Sequence, residues 1–542
     1  MSVRATTALL CVVIFAATVR IAQAQLAGDV SSKNPKNVYD EATITPGRSG
    51  GAQAKNSEVR QRERRAQLNE EEAELDAAQA RSEQERQAAQ RRAVQARSSY
   101  LGYFQTGDFD SLPRLYQTDR ISVLGSLDAG LAPFVAFDNA FDSPPGSVNA
   151  AFPGYANWVE AYMEPGVTAT YHVARHVFLY GGVSYLESGT IGTDYSGSPH
   201  AWYGLPEQLY AGLRFTHLLG GGVTLDASYG QQNYVTGGGM LLANGATNGF
   251  DRGAGYLGPR TAWRQAGLLK AIDGEWSAQL FYLRPNEAPL LFDNTRLTGI
   301  NVIWNPPGQL RLGAEYIYSS SDILTRNQMS TYELRARFHP FEHDPYLWLQ
   351  ADYAIQGKPY LSADGWMIQA NYNFDRMWWK PLVNVGLYSM SGANPANALI
   401  WYGFDPLYFG GSVPQWLPGF ALQTTLANTN LRDFDTSVTL WPWKQDSLQL
   451  NYLAANVSRV NAALLTVPPS TSPEPGGGIP NFGYGRELGA SYTHNLSDAL
   501  SVNPFYAFVW PGNGIAANYA AHGGAAHNWS FLGLSFTASY GK

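Results

Sequence analysis

The stretch STYELRARFHPF, residues 330–341, sets something polar at every second place: Thr331, Glu333, Arg335, Arg337 and His339. Tyr332, Leu334, Ala336 and Phe338 lie between them, so a pleated strand carries charge on one face and apolar surface on the other. In a soluble sandwich the apolar face meets a protein core. In an outer-membrane barrel it meets lipid, and the charged face lines a lumen.

The neighbouring sequence repeats the pattern. In GQLRLGAEYIYSS, Leu310, Leu312, Ala314, Tyr316 and Tyr318 oppose Arg311, Gly313 and Glu315. YLWLQADYAIQ and GWMIQANYNFD alternate likewise, with Gln350, Asp352, Gln369 and Asn371 on the polar side. The connections decide between the two settings. Short turns are expected near Arg175 and at 218–222, 271–274, 305–308, 339–344, 375–381, 441–446 and 496–499. Between them come longer Gly, Pro or Ser-rich connections at 138–157, 188–204, 235–259, 285–295, 319–329, 356–365, 389–422 and 457–485. Short alternating with long is the rhythm of an up-and-down membrane barrel, with tight periplasmic turns and larger outer loops. The fold class expected is therefore all-β, a transmembrane antiparallel β-barrel of about 18 strands over residues 118–542, preceded by a polar N-terminal α-helix.

Composition agrees. Aromatic residues make up 13% of the chain, with 32 tyrosines and 15 tryptophans, and these suit girdles at the membrane surfaces. Trp378, Trp379, Trp441, Trp443, Tyr506 and Trp510 fall where strands should meet such a surface. Beyond the N-terminus no run approaches the ~20 apolar residues that a spanning helix needs. Residues 100–542 are net acidic, which speaks against nucleic acid as a partner.

The N-terminal residues are of another kind. Residues 1–24 read as a signal peptide, with Arg4, an apolar run from Ala8 to Ala17, and Ala22-Gln23-Ala24 as cleavage site. The one cysteine, Cys11, lies in that run, so the mature chain has no disulfide. Residues 25–56 read as a flexible leader and 57–99 as a periplasmic helical segment rich in Glu, Arg, Gln and Ala. A solvated spacer is the favoured reading of 57–99; a coil that binds a periplasmic secretion-machinery protein is the alternative.

Three stretches carry a family resemblance: Tyr229–Trp263, YGFDPLYFGG at Tyr402–Gly411, and the pair GRELGASYTH (485–494) and FVWPGNG (508–514). Together they resemble the alginate export family. The resemblance implies a conduit in the outer membrane of a Gram-negative bacterium that passes an anionic polysaccharide or oligosaccharide out of the periplasm.

Alternation nominates the residues that line such a path. A cation on the lipid side near the midplane costs ~2 to 4 kcal/mol, so Arg311, Glu315, Glu333, Arg335 and Arg337 should face inward. The strand RTAWRQAGLLK adds Arg260, Arg264 and Lys270, with Thr261, Trp263, Gln265 and Leu269 opposed; adjacent strands add Arg214 and Asp226. Arg335 and Arg337 are expected at an anion-favouring constriction, and the competing reading is that these charges are wall salt bridges that select nothing. No enzyme motif stands out. GNGIAA (512–517) lacks an expected helix behind it, and His339 and His343 are separated by turn residues, so no cofactor or metal is expected. Passive export is the leading reading, a substrate-specific porin for small solutes the alternative, and a soluble β protein or surface adhesin the third.

Overall fold

The computed structural model describes residues 114–218, 222–289, 293–306, 310–341, 346–394, 399–410, 419–426, 428–460 and 479–540. The signal peptide, leader and helical segment expected at 1–24, 25–56 and 57–99 lie outside the described residues. Strands run in chain order: β1 (Arg114–Gln117), β2 (Ile121–Phe137), β3 (Tyr155–Ala174), β4 (Val177–Thr193), β5 (Ala201–Leu218), β6 (Val223–Gln232), β7 (Trp263–Asp273), β8 (Trp276–Arg284) and β9 (Arg296–Trp304). They continue as β10 (Leu310–Ser320), β11 (Met329–Phe338), β12 (Leu347–Lys358), β13 (Leu361–Asn373), β14 (Leu382–Met390), β15 (Leu431–Leu440), β16 (Asp446–Val457), β17 (Gly483–Asn495), β18 (Leu500–Pro511) and β19 (Trp529–Tyr540).

Each strand from β2 onward pairs antiparallel with the next, and β19 returns to β2, which closes an 18-strand barrel. Closure leaves no free sheet edge in lipid, which is the condition for crossing a membrane with strands. β19 takes β2 from Leu127 to Phe137, and the short β1 covers Ser122 to Leu124 beyond it. The stretch of β2 that the closing strand does not reach is thus paired as well.

The opening stretch behaves as its alternation requires. Tyr332 and Leu334 are 58% and 50% exposed, while Glu333 and Arg335 between them are 1% and 9% exposed. The outward band continues with Leu131, Val183, Leu280, Ile300, Ile368, Leu387, Leu450, Leu488 and Leu532, all exposed and apolar. A closed barrel wearing an apolar belt is a membrane barrel, and lipid is its outer solvent. Among the described residues no helix is long and apolar enough to span a membrane.

The short turns expected from sequence fall at strand junctions, although 271–273 still belong to β7 and the turn there is Gly274 and Glu275. Two connections differ. Gln356–Gly365 is not a long loop: β12 and β13 pair as far as Lys358 opposite Leu361, with Tyr360 at φ 68 in the turn. The helix not expected behind GNGIAA is present as α1 (Asn513–Ala521), directly after β18. Its glycines serve close packing. A Cβ on Gly512 would collide with the backbone of Gly483, and one on Gly514 with Ile479 and Asn481.

Candidate functional site

Hydrogen-bond register places the inward charges in one row across seven strands. Arg214, Asp226, Lys270, Gln279, Asn301, Glu315 and Glu333 stand opposite one another in turn from β5 to β11. At one end Asp226 sits between two cations. Arg214 Nε lies 2.6 Å from its carboxylate, Tyr180 donates to it at 2.5 Å, and Lys270 is its partner on β7. At the other end the balance inverts, with Glu315 facing Glu333. Arg335, on the next inward position of β11, answers both: Nη1 is 3.0 Å from Glu315 and also bonds Glu333, and Nη2 donates to Asn301. Asp352 is its register partner on β12, so one guanidinium serves three buried acids. Gly313 makes the room, because a Cβ there would stand 2.9 Å from Arg335 Nε.

Arg311 and Arg337 are directly opposed on β10 and β11 and both are exposed, with the Arg337 guanidinium 5.2 Å from the Trp348 ring centroid. Among the described residues these two have no acid partner such as those of Arg335. The ladder expected from alternation therefore divides into an acid-rich, dry cluster around Arg335 and a wet basic pair beside it.

Two of the ten residues are placed differently from expectation. Arg260 is not on a strand. It belongs to the β6–β7 loop, fully buried, donating to the Tyr203 carbonyl at 2.8 Å and Ser188 at 3.1 Å, with Glu207 at 3.8 Å. Arg264 is on β7 but exposed, whereas Trp263, expected outward, is buried and donates to the Tyr234 carbonyl at 2.9 Å. The physical reason is a skip in the β6–β7 ladder between Gly230 and Gln232, which reverses the alternation at the start of β7.

The long connections turn inward and interlock. Arg326, in the β10–β11 loop, holds Asp405 of the β14–β15 loop through two bonds of 2.9 Å and Asp293 of the β8–β9 loop at 3.1 Å. Its guanidinium also lies 5.2 Å from the Tyr408 ring centroid, and the Tyr408 hydroxyl donates to Glu287 at 2.7 Å. Gln356 on β12 grips the Asp405 backbone with both ends of its amide, at 2.6 and 2.7 Å. Tyr408 in turn runs beside Leu242 of the β6–β7 loop: its carbonyl accepts the Ala243 amide at 2.8 Å and its amide donates to the Leu241 carbonyl at 2.9 Å. Three loops thus meet at one arginine, and the β6–β7 loop joins them through Tyr408.

Wall carboxylates anchor the loops by a repeated device. Glu160 on β3 accepts the amides of Tyr256 and Leu257 at 3.0 and 2.7 Å. Glu207 on β5 accepts those of Thr261 and Ala262 at 2.7 and 2.6 Å. Glu487 on β17 takes three, from Phe420, Ala421 and Leu422, at 2.6, 3.0 and 2.8 Å. All three acids are buried, and a buried carboxylate is tolerable there because consecutive N–H groups replace its water. The loop tips they hold are apolar: Tyr256 stacks on Phe505 at 5.6 Å and Phe420 on Phe505 at 5.2 Å.

Alternation could not point to Arg326, Asp293, Asp405, Tyr408 or Glu287, since none lies on a strand. The one sequence signal was the unusual run Asp405–Tyr408 inside YGFDPLYFGG, noticed as a resemblance and found here as the centre of the clasp.

No family model matches the chain, and no curated protein matches it. Solved structures similar to it include Pseudomonas aeruginosa OccK7 (OpdD), at 12% identity and TM-score 0.44 over 77% of this chain and 98% of that one. Pseudomonas aeruginosa OpdQ matches at 12% and 0.47 over 78% and 99%. The outer membrane protein OprD from Pseudomonas aeruginosa matches at 12% and 0.44 over 77% and 93%. The expected relationship to alginate export proteins is corrected by these findings, because the matches lie with OprD and Occ proteins. Export of an anionic polysaccharide, which rested on that resemblance, is overturned with it.

Proposed function

We propose that this chain is an outer-membrane, porin-like channel through which small solutes enter passively. The observation that carries the reading is the clasp: loops from β8–β9, β10–β11 and β14–β15 are tied to one another by Arg326, the β6–β7 loop joins them through the Tyr408 backbone, and Glu160, Glu207 and Glu487 tie loops to the wall. Their apolar centre, with Met240, Leu241, Leu242, Phe404 and Leu407 almost fully buried, is closed to solvent as a protein core is. A polymer conduit needs a continuous wide bore, and loops packed in this way oppose one. A small solute needs only a gap beside them.

The wall favours charged solutes among small ones. Arg311 and Arg337 offer guanidinium groups with no acid partner among the described residues, the Arg214, Asp226 and Lys270 group adds further fixed charge, and charges of this kind replace part of an ion's hydration shell. In this proposal Arg214, Asp226, Lys270, Arg311 and Arg337 line the path, whereas Glu315, Glu333 and Arg335 hold its wall. Liposome swelling with a size series, from single amino acids and monosaccharides to oligosaccharides, tests the reading. Swelling confined to the smallest solutes is expected; equal permeation by long oligosaccharides refutes it.

A further inference from the structure

The two adjacent turns β13–β14 and β15–β16 carry a surface that the channel reading does not use. Met377, Trp378 and Trp443 are 55%, 81% and 66% exposed, a large apolar area for turns on the short-connection side of the barrel. The turns are joined, since the Trp441 amide donates to the Trp379 carbonyl at 2.8 Å, and the rings of Trp378 and Trp379 lie 4.5 Å apart. Trp379 and Lys380 both have left-handed backbones, at φ 66 and 43, so the turn accepts strain to hold the two indoles side by side. Around the tryptophans stand Arg376, Lys380 and Lys444, all exposed; of the two carboxylates at these turns, Asp375 reaches Lys380 at 3.7 Å and Asp446 is hydrogen-bonded to Tyr492 and His494. Two other turns on this side are acidic, β7–β8 with Asp273 and Glu275 and β17–β18 with Asp498, whereas β3–β4 carries Arg175 but no tryptophan.

We propose that this face binds the headgroup of an anionic phospholipid in the periplasmic leaflet. The location fits, because the outward apolar band of Ile368, Val385, Leu387, Phe434 and Leu450 runs along the same strands that end at these turns. Indoles take the interfacial layer, where the ring is shielded and its N–H stays wet, and the three cations lie where a phosphate would sit. The excess of cations over acids selects an anionic headgroup over a zwitterionic one. A soluble periplasmic protein would have no reason to find its aromatic residues at the hydrocarbon boundary.

Native mass spectrometry of the full-length protein, exchanged into mixed micelles with equal phosphatidylglycerol and phosphatidylethanolamine, reads the retained lipid. Wild type should keep phosphatidylglycerol preferentially, and the preference should weaken in high salt. The triple variant R376Q/K380Q/K444Q should lose about fivefold in phosphatidylglycerol retention per cation removed. Heat-modifiable gel mobility identifies closed barrels, so a folding failure is not read as lost binding. The double variant W378A/W443A should release both lipids alike. Equal retention of the two lipids by wild type, or a triple variant indistinguishable from it, overturns the proposal. A photo-crosslinker at position 378 that captures a periplasmic protein instead of lipid in intact envelopes overturns it as well.

Discussion

Arg326→Ala is the change with the sharpest consequence. The side chain is 1% exposed and makes three charge-assisted bonds, two at 2.9 Å to Asp405 and one at 3.1 Å to Asp293. Removing it leaves two acids in a buried site without their cation, a loss of about 3–5 kcal/mol when one partner of a buried pair is deleted. The barrel does not bear that cost, because its strands keep their own ladders and Arg326 bonds loops only. Relief comes from local opening of the clasp. At about 1.4 kcal/mol per tenfold, the ratio of open to closed loops rises by roughly a hundredfold or more. The assay is single-channel conductance in planar bilayers, with protease cleavage of the loops in parallel. Larger, noisier openings and faster cleavage are expected, with heat-modifiable mobility unchanged. Arg326→Lys keeps the charge but loses the two-pronged grip on Asp405, and should fall between wild type and alanine. Conductance and cleavage identical to wild type would show that the loops are held by something other than this arginine.

Glu287 gives the clasp a pH dependence. Burial, then the charge of Asp293, lifts its carboxyl from the ordinary 4.5 to about 7, against the opposing effects of Tyr408 and Arg326. The closed arrangement therefore binds a proton more tightly than the open one, and its extra stability is full below about pH 4.5 and lost as pH rises through about 7. Closed-level occupancy in bilayers should rise from pH 8 to pH 5, and Glu287→Gln should flatten the trend; a wild-type trace insensitive to pH counts against it. In the wall, R311A/R337A removes two guanidinium groups that have no acid partner among the described residues, so the reversal potential in a salt gradient should move toward cation selectivity. An unmoved reversal potential assigns these arginines to the wall alone.

The sequence by itself determined which face of a strand meets lipid wherever the ladder runs without a break. Alternation is a local property with a period of two, so Leu334 against Glu333 and Arg335 can be read without knowing any neighbour. Turn chemistry is equally local, and the spacing of short and long connections was enough for the strand count and the closed topology. The same locality explains the errors. A single skipped residue between Gly230 and Gln232 reversed the start of β7, which moved Trp263 inside and Arg264 to the exposed side. One glycine-bearing strand offered no sequence mark of that skip.

Only the tertiary structure decided what fills the barrel. Arg326 meets Asp405 from 79 residues away and Tyr256 meets Phe420 from 164, and nothing periodic connects such positions. Loop residues carry no fixed face, so whether a loop stands out in water or folds inward depends on the wall carboxylates waiting for its amides. That choice separates a wide conduit from a narrow channel, and it is made by contacts between segments distant in the chain, where no single stretch of sequence holds both partners.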